Sequence, residues 1–266
     1  MPLHCSIPIA PITNEAFKQI DQIVMKCAFA THNKLGKLCE ERVYEHDLFA
    51  RLQAEGIGNI FSQVPLTVSF RDFQKSYRLD LVVNGMTYEL KAVDSIAVAH
   101  EAQVFNYAAL LNINRIKLIN FGGNVVDGQL RATPFADINR FGVSVDRKHW
   151  RPLSEKCVAL ADDAEQCFHH WGGFLDSKLY DEALIHFCGG EHRCLHRMPV
   201  RRDGLELGHH DVHLHSKDTA FVVTSFGDDT GGYESHLGRL LETLPIRAWQ
   251  WINIHHAKMQ LTTIQK

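Results

Sequence analysis

No stretch of the sequence approaches the roughly 20 consecutive apolar residues of a membrane-spanning helix. The opening, MPLHCSIPIAPITNEAF, also lacks the basic-then-apolar leader that marks secretion. The expectation is a cytoplasmic chain with no membrane partner. There is no C-x-x-C pair either: the seven cysteines, at 5, 27, 39, 157, 167, 188 and 194, form an odd set. Such a set suits a reducing compartment, with thiols serving mostly as small buried hydrophobes. A surplus of positive charge is missing too. The net charge of −3 gives no global field for a polyanion, so a nucleic-acid partner requires a local patch.

What remains is an ordinary globular composition, 45% hydrophobic and 22% charged over 266 residues, enough for one large domain or two of usual size. Thr13–Ala30 reads as a helix, and LCEERVYEHDLFARLQAEG gives a second, apolar at Leu38, Val43, Tyr44, Leu48 and Leu52 and closed by Gly56. Strand-like runs VPLTVSFRDF, YRLDLVV and MTYELKAV follow. A helix, AVAHEAQVFNYAALLN, then leads into a buried-strand signal, RIKLINFGG. Residues 134–152 break the periodicity and read as a connector.

Asn84-Gly85, between two apolar runs, is the strongest short-range signal for a two-residue hairpin turn. Counting outward, Val83 faces Met86, Leu81 faces Tyr88 and Asp80 faces Glu89. Alternation then puts Asp80, Glu89 and Lys91 on one side and Leu81, Tyr88 and Leu90 on the other. Two carboxylates so opposed are roughly 5 Å apart at Cβ and destabilise each other. A divalent cation between them resolves the conflict. Hard oxygen ligands suit Mg²⁺ or Mn²⁺, and Lys91 is placed to orient or activate a water, which are the parts for phosphodiester hydrolysis. The plainer alternative is a lysine pairing with two acids on a solvated sheet face.

Two flanking features bear on that choice: Glu41-x-x-Tyr44 on the helix upstream, and Gln103-x-x-x-Tyr107 on one face of the helix downstream. With these, EERVYE, YRLDLVVNGMTYELKAV and HEAQVFNYAALLNINRIKLINFGG together resemble the GxxExxY family of the PD-(D/E)XK nuclease superfamily, over roughly residues 30–123. The resemblance implies an α/β fold in which a mixed central sheet is flanked by helices, as in restriction endonucleases. It implies Asp80 and Glu89 as metal ligands with the Leu90 carbonyl as a third, and Lys91, Glu41, Gln103 and Tyr107 as the catalytic set. The cofactor would be Mg²⁺ or Mn²⁺, the substrate nucleic acid and specifically DNA, the setting repair or defence against foreign DNA. Departures are Leu38 where the family has glycine, with Gly36 nearby, Leu79 where the superfamily name has proline, and Glu40 as a competitor of Glu41. Arg71, Lys75 and Arg78 are the candidates to hold substrate phosphates, and His100 faces the site or caps its helix. The other function class is a nucleic-acid-binding or assembly protein that keeps the fold with little or no turnover.

The second half echoes the first. LLNINRIKLINFGG has a counterpart in LETLPIRAWQWINIHH, and GKLCEERVYEHDL in GGFLDSKLYDEAL; Glu101 precedes Ile113, and Ile113 Asn120, by the spacings that separate Glu234, Ile246 and Asn253. In this register Glu89 and Lys91 correspond to Val222 and Thr224. The expected organisation is a nuclease-like domain over 1–133, a connector over 134–152 and a degenerate repeat over 153–266, acting as an intramolecular pseudo-dimer partner. Most of the seventeen histidines lie in this half, including HHDVHLH, but their spacing matches no standard zinc pattern. HRCLHRMPVRR, with Arg193, Arg197, Arg201 and Arg202, could grip a phosphate backbone or line a solvated strand edge.

Overall fold

The structure, a computed structural model, describes residues 3–227 and 229–266. They divide into two compact units, one of residues 3–69 and 74–139, the other of residues 70–73 and 140–266. Each carries a six-stranded sheet.

In the N-terminal unit, α1 (Asn14–Leu35) begins where the Thr13 hydroxyl accepts the Ala16 amide at 3.2 Å. It runs past the expected end at Ala30 and stops at Gly36, whose φ of +72° suits glycine. The second helix, α2 (Glu41–Ala54), is followed by Gly56 at φ +79°. The strands are β1 (Leu3–Cys5), β2 (Ile60–Phe70), β3 (Phe73–Val83), β4 (Met86–Lys91), β5 (Arg115–Asn120) and β6 (Asp127–Ala132), and α3 (Val98–Leu111) joins β4 to β5. Spatial order equals sequence order. The helical crossover makes β4 and β5 parallel, while β3 pairs antiparallel with β4 and β5 with β6.

The β3–β4 hairpin turns at Asn84 (φ +47°) and Gly85 (φ +85°), both left-handed as a two-residue turn of this type requires. Its register is Val83 with Met86, Val82 with Thr87 and Leu81 with Tyr88. Leu81, Val83, Tyr88 and Leu90 point into a core filled by Val24 and Ala28 of α1 and Tyr44, Leu48 and Leu52 of α2. By alternation Glu89 and Lys91 point the other way. Every residue of β4 is buried, so these polar side chains are enclosed along with the apolar ones.

The C-terminal unit has α4 (Glu155–Trp171), α5 (Ser177–Phe187), the single turn α6 (Glu191–Cys194), β8 (Leu195–Arg202), β9 (Leu205–Leu214), β10 (Thr219–Thr224), α7 (Gly231–Thr243), β11 (Ala248–His255) and β12 (Lys258–Gln265). The segment read as a connector contains a further strand, β7 (Ser144–His149), parallel to β12 at the sheet's edge. Its residues are half-buried or exposed, so it lacks the one-sided alternation that would have marked it. The strand order β8-β9-β10-β11-β12 runs as β2 to β6 does, with β10 and β11 again parallel and joined by a helix. The core here is Val212, Leu214, Ala220, Trp249 and Trp251 against Leu237 and Leu241 of α7. All seven cysteines are free thiols, and no helix among the described residues is long and apolar enough to cross a membrane.

Candidate active site

Four elements of the N-terminal unit bring charge together. Glu41 opens α2, where the helix dipole favours an acid. The position of that helix start is fixed by Tyr44, one turn on. Its hydroxyl donates to the Gly36 carbonyl at 2.7 Å and accepts the Cys39 amide at 3.1 Å, and its ring stacks on Phe121 at 4.7 Å. The tyrosine of the Glu-x-x-Tyr motif is thus a staple across the α1–α2 turn. Leu38, the departure from the family's glycine, is 92% exposed, and the left-handed position in this turn falls on Gly36. Glu40 is exposed at the N-cap, which leaves Glu41 as the acid that faces Lys91.

Asp80 and Glu89 stand one step beyond the last paired residues of the hairpin, Leu81 and Tyr88. The Asp80 carboxylate accepts the Leu90 amide at 2.8 Å. Lys91 places its ammonium 2.6 Å from Glu89 Oε1, 2.7 Å from the Leu90 carbonyl oxygen, and 3.8 Å from both Asp80 and Glu41. This answers how the fold tolerates facing acids: a buried lysine sits among them. Burial pushes the Glu89 carboxyl up to about 8, helped by the Asp80 charge and opposed by Lys91. Burial also raises Asp80 and Glu41. For Lys91, burial works against the charged form, but the three acids outweigh it and the ammonium ends above its ordinary value.

Behind Lys91 the chain is clamped by Asn120, which the parallel register sets opposite Lys91. Its side-chain oxygen accepts the amides of Val93 and Gly122, and its amide group donates to the Val93 carbonyl. Gly122 lies so close to Val93 that a Cβ there would sit 2.3 Å from the Val93 carbonyl oxygen. On α3, Gln103 donates to the Tyr107 hydroxyl at 3.0 Å, and the buried phenol is raised by burial and feels the Glu89 and Asp80 charges.

Two polar residues with no part in the sequence reading also belong here. Glu45, one turn beyond Glu41, is buried and accepts from Gln63 at 2.8 Å, while its other carboxylate oxygen has no partner; burial first, and then the Asp80 charge, raises its carboxyl. Its i,i+4 spacing from Glu41 was a usable signal. Gln63 gave none: it reaches the site because its backbone is left-handed, φ +51°, within β2.

The remaining expected residues fall differently. Arg71, at φ +52°, groups with the C-terminal unit, where it meets Asp163 at 2.6 Å and Gln166 at 2.7 Å between the rings of Phe70 and Phe187. Those partners take its charge. His100 caps α3, its Nδ1 accepting the Ala97 amide at 3.0 Å. Lys75 lies over the Tyr77 ring at 5.3 Å, and Tyr77 meets Tyr107 edge-on at 5.9 Å. Arg78 is exposed on β3.

The donor chemistry fits a hard divalent cation. Asp80, Glu89 and the Leu90 carbonyl are oxygen donors, and Glu89 Oε2 is buried with no hydrogen-bond partner. Among the described residues no three histidine, cysteine or acid side chains form a ready-made cage. Two carboxylates and a carbonyl suit an ion that keeps several waters.

Residues 18–132 match the family model of the PD-(D/E)XK nuclease superfamily. The match spans α1 to β6 and includes all of the clustered acids and Lys91. Members of that superfamily are typically nucleases and generally use divalent metal ions. Comparison with curated proteins and with solved structures gave no match.

Proposed function

We propose that the N-terminal unit is a divalent-cation-dependent nuclease of the GxxExxY type that hydrolyses phosphodiester bonds in DNA. The observation that carries this reading is the contact of Lys91 with Glu89 and the Leu90 carbonyl, with Asp80 and Glu41 closing around it. A lysine and two acids at this separation, buried, are costly for stability alone, and perturbed groups of this kind gather where chemistry is done. Asp80, Glu89 and the Leu90 carbonyl would hold Mg²⁺ or Mn²⁺. Such an ion, when bound, lowers the pKa of a water and offsets charge on the phosphate. Lys91 keeps its proton and supplies a donor and positive charge beside the attacked phosphate. Glu41, at the more open end of the cluster, accepts a hydrogen bond from a water. Gln103 and Tyr107 orient the substrate backbone, and Lys75 and Arg78 offer it positive charge.

We further read the C-terminal unit as a degenerate copy. Supporting this are the order common to β2 to β6 and β8 to β12 and a common register: Lys91 pairs with Asn120 as Thr224 pairs with Asn253. Asn253 clamps Phe226 as Asn120 clamps Val93. Tyr180 donates to Gly172 as Tyr44 donates to Gly36. Val222 and Thr224 then stand at the positions of Glu89 and Lys91 and can neither hold a cation nor supply a lysine. The test of function is incubation of the full chain with Mg²⁺ or Mn²⁺ against linear, circular and single-stranded DNA and against RNA. Cleavage of DNA that EDTA abolishes is expected. Tight nucleic-acid binding without cleavage under any of these conditions would replace this reading with that of an inert binding protein.

A further inference from the structure

Gln63 is unusual for its strand in two ways. It lies inside β2 with left-handed backbone, φ +51°, a conformation that residues other than glycine seldom adopt. It is also exposed, yet its side chain is held: Nε2 donates to Glu45 Oε2 at 2.8 Å, and the same carboxamide hydrogen-bonds the Asp80 carboxylate. Fixing a long side chain costs rotamer entropy, and left-handed backbone at such a residue persists where its surroundings demand it, most often at functional sites.

Glu45 is the second unfavourable choice. It stands one turn after Glu41 on α2, is 4% exposed, and its Oε1 is buried with no hydrogen-bond partner. If Glu45 and Gln63 served stability alone, apolar residues of the same shape would do at little cost. What the acid accomplishes is to hold Gln63. A carboxamide has two N–H donors, and with one fixed by Glu45 the other is presented to Asp80. Asp80 is thereby gripped from two sides, by the Leu90 amide at 2.8 Å and by Gln63, which fixes the rotation of its carboxylate. We propose that Glu45 and Gln63 are a positioning pair for Asp80: Glu45 sets the Gln63 carboxamide, and Gln63 sets the Asp80 carboxylate toward a divalent cation. The proposal rests on the reading of Asp80 as a cation ligand, and neither member of the pair touches the cation.

The test is binding of Mn²⁺ alone to the full chain, followed by the electron paramagnetic resonance of the free ion, which gives affinity and number of ions bound without catalysis. Gln63→Leu should weaken Mn²⁺ roughly three- to tenfold, the worth of one net hydrogen bond. Glu45→Leu should weaken it as much, and the double variant no more than either. Glu45→Gln, which keeps an acceptor for Gln63 in the same space, should regain most of the loss. Gln63 is exposed and tolerates substitution, so Gln63→Leu alone decides if Glu45→Leu does not fold. Wild-type affinity in Gln63→Leu would overturn the proposal. So would losses that multiply in the double variant, which would make Glu45 act by its charge, or one ion fewer bound in Glu45→Leu, which would make it a ligand. Asp80→Asn tests the reading beneath: it should weaken Mn²⁺ more than any of these. If Asp80→Asn binds as the wild type does, Asp80 is no ligand and the pair has nothing to position.

Discussion

Burial raises the Glu89 carboxyl to about 8 from an ordinary value near 4.5, so the folded chain holds a proton there that the unfolded chain releases earlier. Its contribution to stability is full below the unfolded value and is lost as pH rises through the folded one. In EDTA, the wild type should therefore lose stability relative to Glu89→Gln as pH climbs from 5 to 8. Urea unfolding curves of the two that stay parallel over this range would contradict the burial argument. His215 runs the other way. Buried beside Cys157, with Nε2 3.8 Å from the thiol sulfur, it is pushed down to about 4 by burial, and the Lys156 charge adds to this. A depressed histidine stabilises above its unfolded value and loses that contribution as pH falls through the folded one. The wild type should lose as much as about 3 kcal/mol relative to His215→Gln between pH 7 and pH 4. Equal acid sensitivity of the two proteins would show that His215 is not held neutral. Of the site residues, those on the hairpin were legible because strand alternation is a strict period of two. Gln63 and Arg71 were not, because left-handed backbone at both turns their side chains where no periodicity points.

The α1–α2 turn decides where Glu41 goes, and one tyrosine hydroxyl holds that turn. Tyr44→Phe removes two hydrogen bonds and should cost about 1–2 kcal/mol in unfolding free energy. It should also lower turnover several-fold by loosening the start of α2. Tyr180→Phe removes the corresponding bond in the C-terminal unit, to the Gly172 carbonyl, and should cost a similar stability with turnover unchanged below its unfolding temperature. Thermal melts and cleavage rates of the pair check this; equal loss of activity in both would mean that the Tyr44 effect is not specific to the placement of Glu41. Among elements, the β3–β4 hairpin was readable from Asn84-Gly85 and the central strands from their apolar runs. β7 was not, since an exposed edge strand has no buried face to imprint on the sequence. His100 shows a related ambiguity: the same position suits a helix cap and a ligand of the site, and only the 3.0 Å contact with the Ala97 amide separates them.

The order of β2 to β6 in one unit matches that of β8 to β12 in the other, while β1 and β7 join opposite edges of their sheets, and among the described residues only the N-terminal unit holds the cluster of acids and lysine. That order was partly legible as paired spacings around Asn120 and Asn253, because each asparagine performs the same clamp two residues past its neighbouring strand. For the whole chain, a ligand that binds only the folded state stabilises it by mass action. Mn²⁺ should therefore raise the unfolding transition of the N-terminal unit alone, and Asp80→Asn should abolish the shift; a shift that persists in the variant would place the ion elsewhere. The central claim, that Asp80, Glu89 and Lys91 form one hydrolytic site, is tested most directly by single-turnover cleavage of DNA in Mg²⁺ by the wild type and by folded Asp80→Asn, Glu89→Gln and Lys91→Met. Each substitution should slow cleavage by about a hundredfold or more, the scale seen when a single charge-stabilising donor is removed from an active site. Cleavage by Lys91→Met at the wild-type rate would contradict the assignment.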